Sequence, residues 1–249
     1  MQRKPDNPEG LMSLLDHLDE LRSRLFRSAV AFLVVFALCW WASSPILRFL
    51  LRPLREHLTG GGEIVFIYVT EAFMVYTKAA ALAAVFAAAP YILYQFWAFV
   101  APGLHRREQR MVLPAVVFAS LFFILGGAFG YYVALPQAAH WLIDLGAEDF
   151  KPTITLRSAF QFEATVILGM GAVFELPIVI FFLARIGVVT PRFLMKHFRA
   201  AVVIIAVLAA VITPTGDMVT MSVFAGPMVA LYLLGTLVAW LFERRSRDG

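Results

Sequence analysis

A single carboxylate interrupts an otherwise apolar run at Val173-Phe174-Glu175-Leu176-Pro177, and no other charge lies between Glu163 and Arg185. At membrane depth such a group costs roughly 2.5–3.5 kcal/mol, so intramembrane acids usually face a bundle interior, a partner or a wet cavity. Two more acids sit among arginines. Glu20 lies in His17-Leu18-Asp19-Glu20-Leu21-Arg22-Ser23-Arg24-Leu25, and Glu108 is flanked by Arg106, Arg107 and Arg110. Each acid has a local reading. Glu20 can pair with Arg24 at i,i+4, worth about 0.2–0.5 kcal/mol, and Glu108 can balance its basic neighbours. No catalytic group or metal site is expected. The five histidines are scattered, and Cys39 is the single cysteine, which leaves no disulfide or cysteine cluster.

The elements that must position these acids are membrane helices. The chain of 249 residues is 61% hydrophobic and 15% charged, with mean hydropathy +0.78; soluble domains run near 45–50% apolar and about 25% charged. Six apolar segments fit a hydrocarbon core of about 30 Å, which takes about 20 helical residues: roughly Leu25–Ala42, Ala72–Val100, Met111–Val133, Ala159–Phe182, Ala200–Ile212 and Met218–Phe242. An even count puts both termini on one side, and 15 of the 21 basic residues fall in the tails and loops of that side. The positive-inside bias makes it the cytoplasm. The net charge of +4 thus reflects loop topology rather than nucleic-acid binding. No cleavable signal peptide is expected.

One membrane domain, 1–249, is expected: a cytoplasmic amphipathic leader (1–24), a six-helix bundle (25–242) and a cytoplasmic tail (243–249). In the leader, Leu11, Leu14, Leu15, Leu18, Leu21 and Leu25 form a stripe suited to an interfacial helix. The fifth and sixth spans are expected to be short. Between Arg199 and Pro214 lie 14 residues, about 21 Å of helix, which favours local thinning of the bilayer. Outside, Ser44-Pro45 reads as a helix start, and Leu47, Leu50, Leu51, Leu54 and Leu58 as the apolar face of a surface-lying helix bent at Pro53. Pro90 and Pro177 are positioned to kink helices. Asp217 reads as the cap of the sixth helix. Glu71, Lys78 and Glu163 lie near outer helix ends, where long side chains snorkel.

Five blocks in order carry a resemblance. They are the Glu20 stretch; Thr70-Glu71-Ala72-Phe73; Pro90-Tyr91-Ile92-Leu93-Tyr94-Gln95-Phe96-Trp97-Ala98-Phe99-Val100-Ala101-Pro102-Gly103-Leu104 with Arg107-Glu108; Phe174-Glu175-Leu176-Pro177; and Thr213-Pro214-Thr215-Gly216-Asp217 with Pro227-Met228. Over essentially its whole length the chain resembles the TatC family, the multispanning core of the twin-arginine protein translocase. Two positions depart from the pattern. Leu233 stands where many members carry a glutamate, and only Lys196 and Arg199 flank His197-Phe198 where paired basic residues are common.

The resemblance implies an all-α, six-span, N-in/C-in concave bundle in the cytoplasmic (inner) membrane. It implies that twin-arginine signal peptides of folded cargo bind at Glu20, Arg22, Phe99 and Glu108. Pro53, Pro90 and Asp217 fall on family positions with structural or partner-contact roles, and Glu175 is the membrane-embedded polar group. Implied partners are TatA-like and TatB-like single-span subunits and lipid, in a homo-oligomer within a hetero-complex. Energy would come from the proton-motive force, without cofactor, metal or enzymatic activity. An ATPase reading lacks a GxxxxGK[ST] loop, and the seven aspartates all fall in tails or loops, against an intramembrane aspartyl protease. A proton- or ion-coupled small-solute carrier using Glu175 is the alternative, with an inert scaffold as a further reading.

Overall fold

The computed structural model describes residues 14–58, 62–100, 112–147, 151–213 and 217–247. Helix α1 runs unbroken from Leu14 to Trp41, because no glycine or proline occurs between Leu14 and Ser44. The leader expected as a separate interfacial helix is therefore, from Leu14 onward, the first turns of the same rod.

A turn at Ala42 leads into α2 (Ser43–Leu50) and α3 (Arg52–His57), which part at Leu51 with Pro53 in the first turn of α3. Ala42, not Ser44, holds the N-cap position, without a side-chain hydrogen bond. The surface-lying expectation also changes. Leu47, Leu50, Leu51 and Leu54 are buried in the main core beside residues of α4 (Val69–Val100) and of the later helices, so their apolar face is satisfied by protein rather than by lipid.

The all-α expectation holds apart from two short strands. β1 (Glu63–Val65) pairs in parallel with β2 (Thr153–Thr155), in register Glu63↔Thr153, Ile64↔Ile154 and Val65↔Thr155.

The third apolar run is longer than its sequence bounds. α5 (Val112–Phe129) passes through a π-helical turn (Gly130–Ala134) into α6 (Leu135–Ala147). The fourth is split at Glu175 into α7 (Leu156–Phe174) and α8 (Leu176–Arg185), with Pro177 in the first turn of α8. Proline has no N–H to continue the ladder, so the kink expected there is a break. Pro90, by contrast, sits inside α4 without ending it.

α8 closes with paired bonds, Val188 N–H to Leu183 O at 2.9 Å and Gly187 N–H to Ala184 O at 3.1 Å. Gly187 at φ +78° makes that turn possible. Thr190 caps α9 (Pro191–Lys196) through the Phe193 N–H at 3.1 Å. α10 spans Phe198–Ile212 and α11 spans Met218–Arg247. Asp217 caps α11 as expected, accepting the Thr220 N–H at 2.7 Å and bonding the Thr220 hydroxyl.

Among the described residues, five helical stretches are long and apolar enough to cross a membrane: His17–Trp41, Val69–Val100, Leu113–Leu145, Leu156–Arg185 and Met218–Phe242. The 15 residues of α10 make about 22 Å, short as expected. The last span is not short, because α11 carries 30 residues.

Helices approach closely where glycine leaves room, as membrane helices do in the absence of a hydrophobic drive between them. A Cβ on Gly126 would stand 2.5 Å from Met170 O, and one on Gly130 would stand 3.2 Å from Ile167 Cα. This one-turn pair seats α5 and the π turn on α7. Gly235 does the same for α11 and α8, at 2.9 Å from Pro177 Cα. The core between them is filled by Phe224, Met228, Met170, Leu51 and Leu135.

Candidate functional site

α1 and α4 lie side by side along their length, and their ends bring sequence-distant groups together. At one end, the start of α1 meets the last turns of α4. The His17 ring stacks on Phe99 at 4.3 Å and 16°, one turn before Glu20. Glu20 is partly buried, and Arg24 grips one of its oxygens: Nε reaches Oε1 at 2.9 Å and Nη2 reaches the same atom at 2.5 Å. The remaining nitrogen, Nη1, donates to Oε1 of Gln95 on α4 at 3.3 Å. Glu20 Oε2 is shielded from solvent and, among the described residues, has no hydrogen-bond partner.

The local i,i+4 pair is therefore real, yet it leaves half of the carboxylate unused. Arg22 is exposed on α1. Also on α4, Trp97 packs at 3.9 Å on Phe182 and belongs to a small core with Ala115, Val116 and Ile178. Among the described residues its indole N–H has no acceptor. Glu108 and the block from Ala101 onward lie outside the described residues.

Glu175 stands at the α7–α8 break, where it is both the last cap of α7 and the first of α8. Its backbone oxygen accepts from Ile178 and Val179, while its side-chain Oε1 is buried and unpartnered. Pro53 is buried and its carbonyl contacts His57 Nδ1 at 2.7 Å, making it a packing residue of α3. Pro90 is exposed in α4.

Several groups escaped the sequence reading. Glu163 is wholly buried and, among the described residues, neither of its oxygens has a hydrogen-bond partner, where a snorkelling side chain was expected. The helical wheel would have shown it sharing a face with Val166, Ile167 and Met170 of the core. Glu71 is a tie rather than a rim residue. Oε2 accepts the Ile67 N–H at 3.0 Å and the Tyr68 N–H at 3.4 Å, and Oε1 accepts the Arg157 N–H at 2.7 Å. The π turn presents Tyr131, whose ring stacks on Phe49 at 4.7 Å and whose hydroxyl donates to Phe49 O at 2.6 Å. Nothing in the sequence marks a π turn, since it depends on how α5 and α7 pack. Among the described residues, no group of three or more metal-ligating side chains comes together.

Long apolar helices, a carboxylate at a helix break, and a second carboxylate gathered with an arginine and aromatics at one end define a polytopic helical membrane protein. Residues 16–227 match the family described as Sec-independent protein translocase protein (TatC). The TatC of Koribacter versatilis is 42% identical over 239 residues, covering 95% of this chain and 88% of the relative. That of Campylobacter jejuni is 41% identical over 237 residues, covering 94% and 96%. A crystal structure of a twin-arginine translocase receptor, TatC, superposes with TM-score 0.80 at 30% identity, covering 90% of this chain and 98% of that one. The chain belongs to the TatC family of Sec-independent protein translocase proteins.

Proposed function

We propose that this protein is the twin-arginine signal-peptide receptor and core subunit of the translocase that exports folded proteins. It spans the inner membrane six times, α10 being the fifth span, with both termini in the cytoplasm. The observation that supports this reading is the approach of the Glu20 turn of α1 to the Phe99 end of α4, through the His17–Phe99 stack and the Arg24–Gln95 bond. A partly buried carboxylate with one free oxygen suits a guanidinium, which remains charged at all working pH values and donates in a fixed plane. The aromatic beside it suits the apolar stretch of a signal. Arg22 and Glu108 complete the binding surface.

TatA-like and TatB-like single-span subunits dock on the apolar faces of α10 and α11, in a homo-oligomer within a hetero-complex surrounded by lipid. Glu175, with an unpaired oxygen at the helix break, offers a polar point to a partner helix or to the inserted signal. The proton-motive force supplies the energy, and no cofactor or nucleic acid takes part.

The test is site-specific crosslinking of an Arg-Arg signal peptide to membranes bearing Glu20→Ala or Glu108→Ala protein. Each substitution is expected to lower signal occupancy severalfold while leaving insertion and protein level intact, and to affect a Lys-Lys signal less. Unchanged occupancy in both variants would refute the assignment. Failure of the native protein to restore export of a twin-arginine reporter, in cells lacking their own core subunit, would favour the carrier or scaffold reading.

A further inference from the structure

The geometry points to Arg24 and Gln95 as positioning residues that set the preference of Glu20 for arginine over lysine. The inference rests on the reading of Glu20 as a signal contact. An arginine paired with a carboxylate commonly spreads its fork over both oxygens. Here both near-side donors, Nε and Nη2, converge on Oε1 of Glu20.

Nη1 is turned toward Gln95 Oε1 on the neighbouring helix, and the Gln95 side chain is only 4% exposed. Gln95 therefore acts as the outer anchor. It holds the guanidinium plane at an angle that satisfies one oxygen of Glu20 and leaves the other free. A carboxylate offers about four acceptor sites. Oε2 uses none of its own, although it is shielded from water. Buried polar atoms are nearly always paired, and the Glu20 side chain as a whole keeps 18% of its surface exposed, so a donor that displaces what covers Oε2 meets an unpaired acceptor whose direction the anchored arginine fixes.

A fixed direction favours arginine. Its N–H groups lie in one plane, and the first bond to Oε2 sets where the others fall. The ammonium of lysine is a point charge with rotatable donors and gains little from a fixed slot. Without the Gln95 anchor, Arg24 can swing to cover both oxygens. Glu20 then keeps its charge and burial but loses its direction. Both arginine and lysine peptides meet the same softened acceptor, and the arginine peptide loses more.

The experiment uses the full-length protein in lipid nanodiscs and two fluorescent signal peptides identical except for Arg-Arg or Lys-Lys, read by anisotropy. Gln95→Leu removes the anchor, and Arg24→Lys keeps the charge but cannot bridge Glu20 and Gln95. Each is expected to weaken Arg-Arg binding about fivefold, the worth of roughly one hydrogen bond. Lys-Lys binding should change by less than about twofold, so the ratio of the two affinities falls.

A purely structural role would lower both peptides alike. An unchanged ratio in both variants, with Glu20→Gln still losing the preference, overturns the positioning role and leaves the receptor reading standing. If Glu20→Gln itself keeps native affinity and preference, the receptor reading fails and this inference fails with it. Arg24→Lys adds a lysine to a site already holding a carboxylate, so it serves as the second variant should Gln95→Leu fail to insert.

Discussion

Replacing Glu71 with alanine should loosen the end of the bundle where the two short strands lie. This carboxylate accepts the Ile67 N–H at 3.0 Å and the Arg157 N–H at 2.7 Å, with a longer contact to Tyr68 at 3.4 Å. It joins the chain entering α4 to the first turn of α7, just after the β1–β2 pair. Hydrogen bonds to charged acceptors are worth about 1.5–3 kcal/mol each. Two good ones give about 3–6 kcal/mol, and the 3.4 Å contact adds little.

Water can rehydrate the freed amides at a helix end, so the lower half of that range applies, about 3 kcal/mol. Glu71→Gln keeps one acceptor oxygen but opposes an NH2 to the other amide group, and should cost about half as much. Unfolding in mixed detergent micelles, followed by tryptophan fluorescence, measures the total. Hydrogen exchange places it, because the Ile67 and Arg157 amides should exchange faster by about two orders of magnitude if opening is local. An alanine variant within about 0.5 kcal/mol of native, the spread of ordinary surface changes, would refute the assignment of Glu71 as a tie.

Three other outcomes follow from backbone geometry. Gly126→Ala places a methyl group 2.5 Å from Met170 O and should destabilise the detergent-solubilised protein by about 1–3 kcal/mol. Gly226→Ala meets nothing within 4 Å inside α11 and should be neutral or stabilising by up to about 1 kcal/mol; equal effects in thermal melts would contradict the packing described for α5 and α7. Gly187→Ala forces a side chain into φ +78° and should lower stability by about 1–2 kcal/mol, read as a drop in melting temperature that Gly187→Asn partly avoids.

Most of the helical framework was legible from apolar run length, since a membrane leaves the chain few ways to satisfy its backbone. The α7–α8 break could be read from Pro177 and the α11 cap from Asp217, because both effects are local. What escaped depends on three-dimensional neighbours. The leader merged with the first span because nothing in residues 14–44 stops a helix. The outer leucines turned to protein because α4 and α6 cover them. Glu163 and Glu71 were assigned to the rim by sequence distance, but burial is set by which face of the helix they occupy. For the candidate site, Glu20 and Phe99 were named from resemblance, whereas Gln95 needed the side-by-side packing of α1 and α4 to acquire a role.

Helix α1 has no buried residue between His17 and Trp41. Among the described residues it packs chiefly along α4, with Trp40 against Phe73 at 5.7 Å near one end and His17 against Phe99 at the other. Any ligand that bridges Glu20 and Phe99 adds a clamp between the same two helices. Its binding energy and the energy that docks α1 are then coupled, and the coupling is reciprocal. A substitution at Trp40 or Phe73, far from the carboxylate, should weaken the ligand, and the ligand should protect that distant contact in return. The rod would act as a lever, reporting at one end what is grasped at the other.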